Sequence, residues 1–377
     1  MPARAAARGS PWAAAALLGL ALAAGCAAGC AAGGEAPGPG AATQSQAAPG
    51  LAKHPPPAAP GGCADLDPGA GPAAPALQDG GAFLDLPTYD GSNQSTHLNV
   101  QFREAGAFGH RYWMTLTPYP DGDASKENPS VLVSDNGLEW APPAGVANPV
   151  SGVPADAAAK GHYSDGYLLI QADQLELYFR YNPARPGLAK PDNATSIIYR
   201  VTSPDGIAWS QPETVFEGGA PDYMSPSLLA DGPLRRLWYS NYGGHMVYTE
   251  SRDLQTWAEP QPVEIELSQG YLPWHQEIVP TDLGYEALVL GYKPGPDGRT
   301  QFALYHARSG DGLRFGPASL IDPERVDPRL KGYHFYKSSL VKTCGAYRLY
   351  LSTVTPGGAY RPFYKQIAAE RLPELFG

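Results

Sequence analysis

Short runs of alternating apolar and polar residues recur from about residue 83 to the C-terminus. Aromatic-rich examples are Tyr112–Leu116, Leu175–Phe179 and Leu237–Ser240, and each follows a run that opens with polar residues and a short turn. An alternation of period two places successive side chains on opposite faces of a sheet, so these runs predict β-strands. Two later runs, Tyr285–Tyr292 and Ala346–Ser352, continue the pattern. The chain therefore contains five similar units and almost no predicted helix.

Four turn motifs separate these units. Each begins with Ser, carries Asp or Asn two residues later and ends in Trp or Phe. Asp and Asn side chains satisfy backbone N–H groups in tight turns, and the terminal ring folds back onto the sheet. The terminal rings are 69, 48 and 58 residues apart, a spacing typical of one four-stranded propeller blade per repeat. The motifs are Ser134–Trp140, Ser203–Trp209, Ser251–Trp257 and Ser309–Phe315.

These features predict an all-β fold, a five-bladed β-propeller with four-stranded antiparallel blades over residues 81–377. We expect a strand at Phe83–Leu86 to close the ring, because closure removes the exposed edges of an open repeat array. The acids of the turn motifs are predicted to stabilise the turns and to take no part in catalysis.

The first 26 residues have the pattern of a processing signal. Arg4 and Arg8 precede the apolar run Trp12–Ala24, which is too short to span a bilayer. The sequence that ends in Cys26 resembles the lipobox of bacterial lipoproteins, which implies diacylation of that cysteine; the alternative is a secretory peptide cut near the same place. We expect an exported bacterial lipoprotein, anchored in the membrane and facing the extracytoplasmic side.

Residues 27–80 are rich in Ala, Gly and Pro. Such a composition buries too little apolar surface to offset chain entropy, so the segment is predicted to be a disordered tether. Cys63 lies in this segment and Cys344 lies near the end of the chain. The two cysteines could pair in an oxidising compartment or remain free thiols.

The composition restricts the possible partners. The formal net charge is -10 and only 17% of the residues are charged, so the chain lacks the Lys/Arg surface that nucleic-acid binding requires. The 22 Tyr and 7 Trp residues favour a ligand surface built from rings. We expect a carbohydrate partner, contact with a membrane only through the lipid anchor, and a monomer.

The first strand of each unit can be aligned on its apolar tail, and this alignment reveals two polar layers. In a propeller these innermost strands surround the central channel, and their first and third aligned positions share one face. Polar residues in both layers favour a ligand site at the channel mouth, and the loops between second and third strands add Glu127 and Arg180. The first layer is His97, Asp165, Ser225, His275 and Lys337, and the second is Asn99, Tyr167, Ser227, Glu277 and Ser339.

Several segments carry a resemblance to known enzymes. The inner strands, together with Tyr112–Met114, Glu127–Ser130 and Pro273–His275, resemble the five-bladed propellers of glycoside hydrolase families 43 and 32. The turn motifs resemble the Asp-boxes of sialidases. In those hydrolases, carboxylates from the inner strands of different blades act as general base, orienting acid and general acid.

The resemblance implies roles for individual carboxyl groups. Glu277 falls where the general acid is expected, Asp165 is the base or orienting acid, and Glu127 is the reserve. Asn99 departs from the family pattern, because it stands where the catalytic Asp is usual and its amide cannot accept a proton at neutral pH. The predicted substrate-binding residues are His97, Asn99, Tyr167, Ser225, Ser227, Arg180, Trp274, His275 and Lys337.

Two functions remain open from the sequence. One is a surface-anchored glycoside hydrolase that acts on a poly- or oligosaccharide at the channel mouth. The other is a propeller that binds glycan without cleaving it, which Asn99 favours. No catalytic metal or cofactor is predicted, although a structural cation in the channel is an option. Four histidines could converge as metal ligands, but the preferred interpretation is that they are hydrogen-bonded or face solvent. They are His97, His162, His275 and His334.

Overall fold

The computed structural model describes residues 80–184, 197–217, 224–241, 243–295, 299–343 and 345–377. The signal segment with Cys26, the tether up to residue 79, and both Cys63 and Cys344 lie outside the described residues. Export, lipidation and a Cys63–Cys344 disulfide therefore stay predictions. Within the described ranges, every helix is too short or too polar to cross a bilayer.

Strands dominate the described chain. One α-helix, α1, covers Pro323–Val326, and the 3-10 turns are Pro120–Gly122, Ala124–Lys126, Ala157–Ala159, Ser268–Gly270, Pro328–Leu330 and Ala369–Leu375. In chain order the strands are β1 (Gly80–Phe83), β2 (Ser95–Ala107), β3 (His110–Pro118), β4 (Ser130–Ser134), β5 (His162–Ile170), β6 (Leu175–Asn182), β7 (Ile197–Ser203), β8 (Glu213–Glu217), β9 (Met224–Asp231), β10 (Leu234–Ser240), β11 (Met246–Ser251), β12 (Gln261–Val263), β13 (Leu272–Thr281), β14 (Gly284–Pro294), β15 (Thr300–Ser309), β16 (Ser319–Ile321), β17 (His334–Phe335), β18 (Ser339–Thr343), β19 (Ala346–Leu351), β20 (Thr353–Val354) and β21 (Phe363–Ala368).

The strands form five antiparallel blades, which confirms the predicted five-bladed β-propeller. Blades 2, 3 and 4 are β5–β8, β9–β12 and β13–β16, each in sequence order. Blade 1 contains the three strands β2–β4, where four were predicted. A single bridge between Val133 and Ala141 follows β4, so the fourth strand of this blade is reduced to one paired residue. β17 and β20 form a separate short ribbon.

Blade 5 closes the ring with the N-terminal strand. Its strands β18, β19 and β21 are joined by β1, which pairs antiparallel with β21. The closing strand lies at Gly80–Phe83 and not at the predicted Phe83–Leu86. Leu84 and Leu86 follow β1 and are buried in the apolar cluster that contains Tyr364, where both side chains are removed from water without strand pairing.

The turn motifs have a shared hydrogen-bond geometry. In the second motif, the Ser203 hydroxyl accepts a hydrogen bond from the Gly206 N–H at 2.8 Å, and Asp205 Oδ1 accepts from two further N–H groups of the turn. Gly206 has a φ of +76° and lies against Trp113, where an added Cβ would be 2.4 Å from a ring carbon. Glycine is therefore required at this position. The acid of the motif stabilises the turn, which is the role predicted for it.

A buried carboxylate fastens blade 4 to blade 5. Glu286 accepts hydrogen bonds from His306 Nε2 at 2.8 Å and from the Tyr347 hydroxyl at 2.6 Å, and Lys342 Nζ lies 3.5 Å away. Burial alone would raise the pKa of Glu286, but these donors and the nearby charges outweigh it and lower the pKa to about 2. The carboxylate form is thus stabilised by folding.

Because the folded pKa of Glu286 lies below its unfolded value, its contribution to stability is present above about pH 4.5 and is lost as the pH falls toward 2. We expect Glu286→Gln to lower the free energy of unfolding at pH 7 by about 3 kcal/mol. Urea denaturation at pH 7 and pH 3.5 measures this, and the loss should be smaller at the lower pH. Glu104→Gln, which alters an exposed ion pair with Arg111, is the control and should change stability by less than about 1 kcal/mol. A loss that is equal at both pH values would contradict this account.

Candidate active site

The inner strands begin at one end of the central channel, here called the upper mouth. In β2, β5 and β9 the pairing with the neighbouring strand shifts register beside His97, Asp165 and Ser225. These residues have φ angles of +53°, +55° and +52°, a left-handed conformation that is uncommon outside glycine. A β-bulge re-aims the side chain that it carries. Repeated bulges at the same position of three blades therefore shape the residues that meet across the channel.

Asp165 lies at the centre of the upper layer. Its Oδ1 atom is 3.4 Å from His97 Nε2 and 3.2 Å from His275 Nδ1, so side chains of blades 1, 2 and 4 converge on one oxygen. Its Oδ2 atom is held by Arg180 Nη2 at 3.0 Å and by the Ser164 hydroxyl at 3.0 Å. The two histidines and the aspartate are at most 3% exposed. We call His97, Asp165 and His275 the triad.

Two of the three facing atoms of the triad, Asp165 Oδ1 and His275 Nδ1, are buried 3.2 Å apart, and neither makes a well-directed hydrogen bond to a described residue. The outer nitrogens have partners: His97 Nδ1 is 2.9 Å from the Thr117 hydroxyl, and His275 Nε2 is 3.2 Å from the Tyr336 hydroxyl. When the outer nitrogens donate to these hydroxyls, both inner nitrogens present lone pairs to a carboxylate oxygen. Such an arrangement is unfavourable unless a cation lies between the three atoms.

The triad has the composition and spacing of a cation site. One ligand atom from each residue lies within 4.8 Å of the other two. Two imidazoles and one carboxylate, with the far imidazole nitrogens fixed by hydrogen bonds, form a donor set suited to zinc, manganese or iron. The residues present therefore fit a divalent transition-metal ion.

The protonation states of the triad also fit a cation. Burial would raise the pKa of Asp165, but His97, Arg180 and His275 together lower the pKa well below its ordinary value. Burial lowers the pKa of both imidazoles, although the Asp165 charge partly opposes this. A carboxylate and two neutral imidazoles are the forms that ligate metals.

A second carboxyl group reaches the upper layer from a loop of blade 1. Glu127 follows the 3-10 turn Ala124–Lys126 and is buried, with Oε2 3.6 Å from His97 Nδ1. Burial raises the pKa of Glu127 well above its ordinary value, and the charge of Asp165 raises it further. A carboxyl group with a raised pKa beside an ionised one can accept and return a proton during a reaction.

The lower layer is a belt of hydrogen bonds between blades. Glu277 Oε1 accepts from the Leu340 N–H at 3.2 Å and from the Ser339 hydroxyl at 2.7 Å. Burial raises the pKa of Glu277 to about 7, against the lowering by Ser339 and Lys337. In the same manner, the N–H groups of Leu168, Ile278 and Val100 donate to the side chains of Asn99, Ser227 and Ser339 at 2.8, 2.9 and 2.9 Å. These side chains fasten the inner strands of blades 1 and 2, 3 and 4, 4 and 5, and 5 and 1 to each other.

The two layers separate the candidate carboxyl groups. Glu277 lies in the belt, whereas Asp165 lies in the upper layer, and the buried Lys337 ammonium interacts with both. The carboxyl group that shares the upper layer with Asp165 is Glu127, the reserve candidate, and the preferred pairing of Glu277 with Asp165 stays a prediction. Asn99 takes part in the belt, where its side-chain carbonyl accepts from the Leu168 N–H. A catalytic role for Glu277 stays a prediction.

The remaining predicted residues divide between the layers. Ser225 is buried and its carbonyl accepts from Gln276. Tyr167 is buried in the lower layer, with its hydroxyl 3.5 Å from the Ile278 carbonyl. Trp274 lies edge-on to His275 with a centroid distance of 5.9 Å, at the upper mouth.

Two of the four histidines that could converge as ligands belong to the triad, and two do not. His162 is held by the Lys160 carbonyl and by Asn182, and His334 stacks on Phe302. Asp165 supplies the third ligand atom in their place.

Sequence reasoning also missed the residues that orient the triad, Thr117, Ser164 and Tyr336. Ser164 and Tyr336 directly precede aligned first-layer positions, and this adjacency was the available signal.

Comparisons with known proteins agree with the fold. No protein-family model matches the chain. A curated relative, the A type blood N-acetyl-α-D-galactosamine deacetylase of Flavonifractor plautii, is 27% identical over 323 residues, covering 70% of this chain and 40% of the relative. The chain thus spans less than half of that protein's length.

Solved structures extend this comparison. An N-acetylgalactosamine deacetylase from F. plautii, in complex with blood group B trisaccharide, aligns with a TM-score of 0.65 at 19% identity, covering 80% of this chain and 98% of that one. An α-L-arabinanase mutant from Cellvibrio cellulosa aligns with a TM-score of 0.50 at 16% identity, covering 73% of this chain and 91% of that one. The predicted resemblance is therefore confirmed at the level of the fold, which this chain shares with propellers named for action on saccharides.

Proposed function

We propose that this protein is a metal-dependent amide hydrolase that removes the acetyl group from an N-acetylated amino sugar. The observation that carries the proposal is the triad, in which buried Asp165 Oδ1 lies 3.4 Å and 3.2 Å from the nitrogens of His97 and His275 without a well-directed hydrogen bond to either. The similarity to a sugar deacetylase supports the choice of an acetamide as the bond that is cleaved.

The proposal includes the predicted location. The lipobox-like sequence before Cys26 supports export and a lipid anchor, which would place the site on extracellular glycans. Mass spectrometry of the mature N-terminus tests this part, since a diacylated Cys26 is expected and an unmodified later N-terminus would contradict it.

The triad and its partners prepare the site for amide hydrolysis. A divalent cation held by His97 Nε2, Asp165 Oδ1 and His275 Nδ1 would polarise the amide carbonyl and lower the pKa of a water molecule. Thr117 and Tyr336 fix the orientation of the two imidazoles through their outer nitrogens. Arg180 and Ser164 hold the other oxygen of Asp165, so that Oδ1 faces the ligand position.

Glu127 transfers the proton. Its carboxylate accepts a proton from the attacking water as the new C–O bond forms on the acetyl carbon. The protonated carboxyl group then returns that proton to the amide nitrogen as the C–N bond breaks. Acetate and a free amino sugar leave, and Glu127 is again ready to accept a proton. The raised pKa of Glu127 suits both halves of this cycle.

Glycoside hydrolysis by the same site is the second candidate. It is favoured by the pairing of Glu127, whose pKa is raised, with Asp165, whose pKa is lowered, since glycosidases use one protonated and one ionised carboxyl group. Against it, Oδ2 of Asp165 is engaged by Arg180 and Oδ1 faces two imidazoles, which leaves no open position for attack on a sugar carbon.

The products distinguish the two reactions. The purified protein is incubated with an N-acetyl-α-galactosaminide, and acetate and free reducing sugar are both quantified. We expect acetate release that stops after chelator treatment and returns with added divalent metal, together with a thermal stabilisation by that metal in the absence of substrate. Release of reducing sugar without acetate, or activity indifferent to the chelator, would contradict the proposal.

A further inference from the structure

Partly exposed aromatic rings from blades 4 and 5 form a continuous row at the upper mouth. Trp274 and Tyr292 have ring centroids 4.7 Å apart at 66°, and Phe302 and Tyr336 have centroids 5.3 Å apart at 84°. His334 stacks on Phe302 with an interplanar angle of 16° and a centroid distance of 6.2 Å. We call these five residues the aromatic shelf. Each is only partly buried, although the cluster of apolar side chains against which most of them pack is buried.

The aromatic shelf begins at the triad. The Tyr336 ring lies 5.7 Å from the His97 ring and 5.1 Å from the His275 ring, and its hydroxyl contacts His275 Nε2. Trp274 is the chain neighbour of His275 and also interacts with the Tyr336 hydroxyl. From there the row continues to Phe302 on β15. A ligand anchored at the triad would therefore have rings beside it in one direction, along the seam between blades 4 and 5.

We propose that the aromatic shelf is a subsite for the sugar next to the N-acetylated one, so that the substrate is an oligosaccharide and not a single sugar. The partly exposed rings of Phe302 and Trp274 offer apolar surface to the C–H groups of a pyranose ring, whereas Tyr292 and His334 carry polar groups for its hydroxyls. This inference rests on the proposed function for the position of the first sugar, but the subsite binds whether or not the acetyl group is cleaved.

The test measures binding in the absence of turnover. Chelator-treated protein is titrated by calorimetry with methyl N-acetyl-α-galactosaminide and with a trisaccharide that ends in the same sugar. Phe302→Leu and Tyr292→Leu remove rings but keep apolar bulk, which limits the risk of misfolding. Tyr199→Leu is the matched control, because Tyr199 is a partly exposed ring that stacks on Tyr181 in blade 2.

We expect the wild-type protein to bind the trisaccharide more tightly than the single sugar. Each shelf variant should weaken trisaccharide binding by about fivefold and leave the single sugar within about twofold. Tyr199→Leu should change neither. Equal affinities of the wild type for both ligands, an equal loss for both ligands, or a loss in Tyr199→Leu alone would overturn the subsite. Trisaccharide binding without acetate release would contradict only the proposed function, and acetate release with unchanged affinities would contradict only the subsite.

Discussion

Replacing Asp165 by Asn is expected to abolish metal binding and to lower turnover by about three orders of magnitude or more. The amide keeps the shape of the side chain, but it removes the negative charge that Arg180 and both triad imidazoles face. It also removes the carboxylate that binds the buried Arg180 guanidinium at 3.0 Å, so the free energy of unfolding should fall as well. Elemental analysis of the purified variant gives the metal content, and initial rates of acetate release give the turnover.

Asp205→Asn is the matched control for this substitution. Asp205 is an acid of the second turn motif, and the first motif carries Asn136 at the equivalent position with the same contacts to backbone N–H groups. Its replacement should leave metal content and turnover unchanged. A variant of Asp165 that kept a full complement of metal and its activity would show that the triad is not the metal site.

Glu127→Gln is expected to lower turnover by between about 10²-fold and 10⁴-fold while metal content and substrate affinity stay unchanged. Glutamine keeps the size of the side chain but cannot accept the proton that the attacking water loses. The split between an unchanged KM and a reduced kcat is the informative readout, because a residue that only supported the fold would also alter stability and metal binding. Steady-state kinetics with metal-saturated protein measures it.

Glu277→Gln tests which glutamate is catalytic: Glu127, as proposed from the structure, or Glu277, as the family resemblance implies. The Glu277 side chain accepts the Ser339 and Leu340 hydrogen bonds of the belt, and a glutamine carbonyl can accept both. This variant should therefore retain most of its activity. If Glu277→Gln is inactive and Glu127→Gln is active, the acid predicted from the sequence is correct and the upper-layer assignment is wrong.

The architecture could be predicted from local signals. Period-two alternation and the four turn motifs depend on residues a few positions apart, such as Ser203 and Gly206, so one sequence was sufficient to identify the five blades. The alignment of the inner strands likewise placed His97, Asp165 and His275 in one layer, and the structure brings these three together.

The chemistry of the site depended on contacts that no local pattern contains. The belt exists because the N–H of Leu340 in blade 5 lies beside Glu277 of blade 4, and the sequence does not show which backbone groups need a partner. The bulges at His97 and Asp165 decide which atoms face the axis. Two imidazoles and one carboxylate from different blades therefore form a ligand set, although no fixed spacing in the sequence marks them as metal ligands.

The sequence predicted that a strand near residue 83 closes the ring, but it placed that strand at the wrong residues. Phe83–Leu86 has the alternation of a strand, yet Gly80–Phe83 is the segment that pairs with β21. The choice depends on how the Leu86 side chain is buried between blades, which is a tertiary effect. The missing fourth strand of blade 1 is also a tertiary effect, since Ala141 pairs with Val133 of β4 and the Asn148 side chain bonds both backbone groups of Val131.

Anomalous diffraction from crystals grown with manganese or zinc would locate a bound metal. We expect one strong peak at the upper mouth, about 2.0–2.2 Å from His97 Nε2, Asp165 Oδ1 and His275 Nδ1. A peak beside Glu277 or at another part of the molecule, or three triad atoms in direct hydrogen-bond contact with no peak between them, would contradict the proposed metal site.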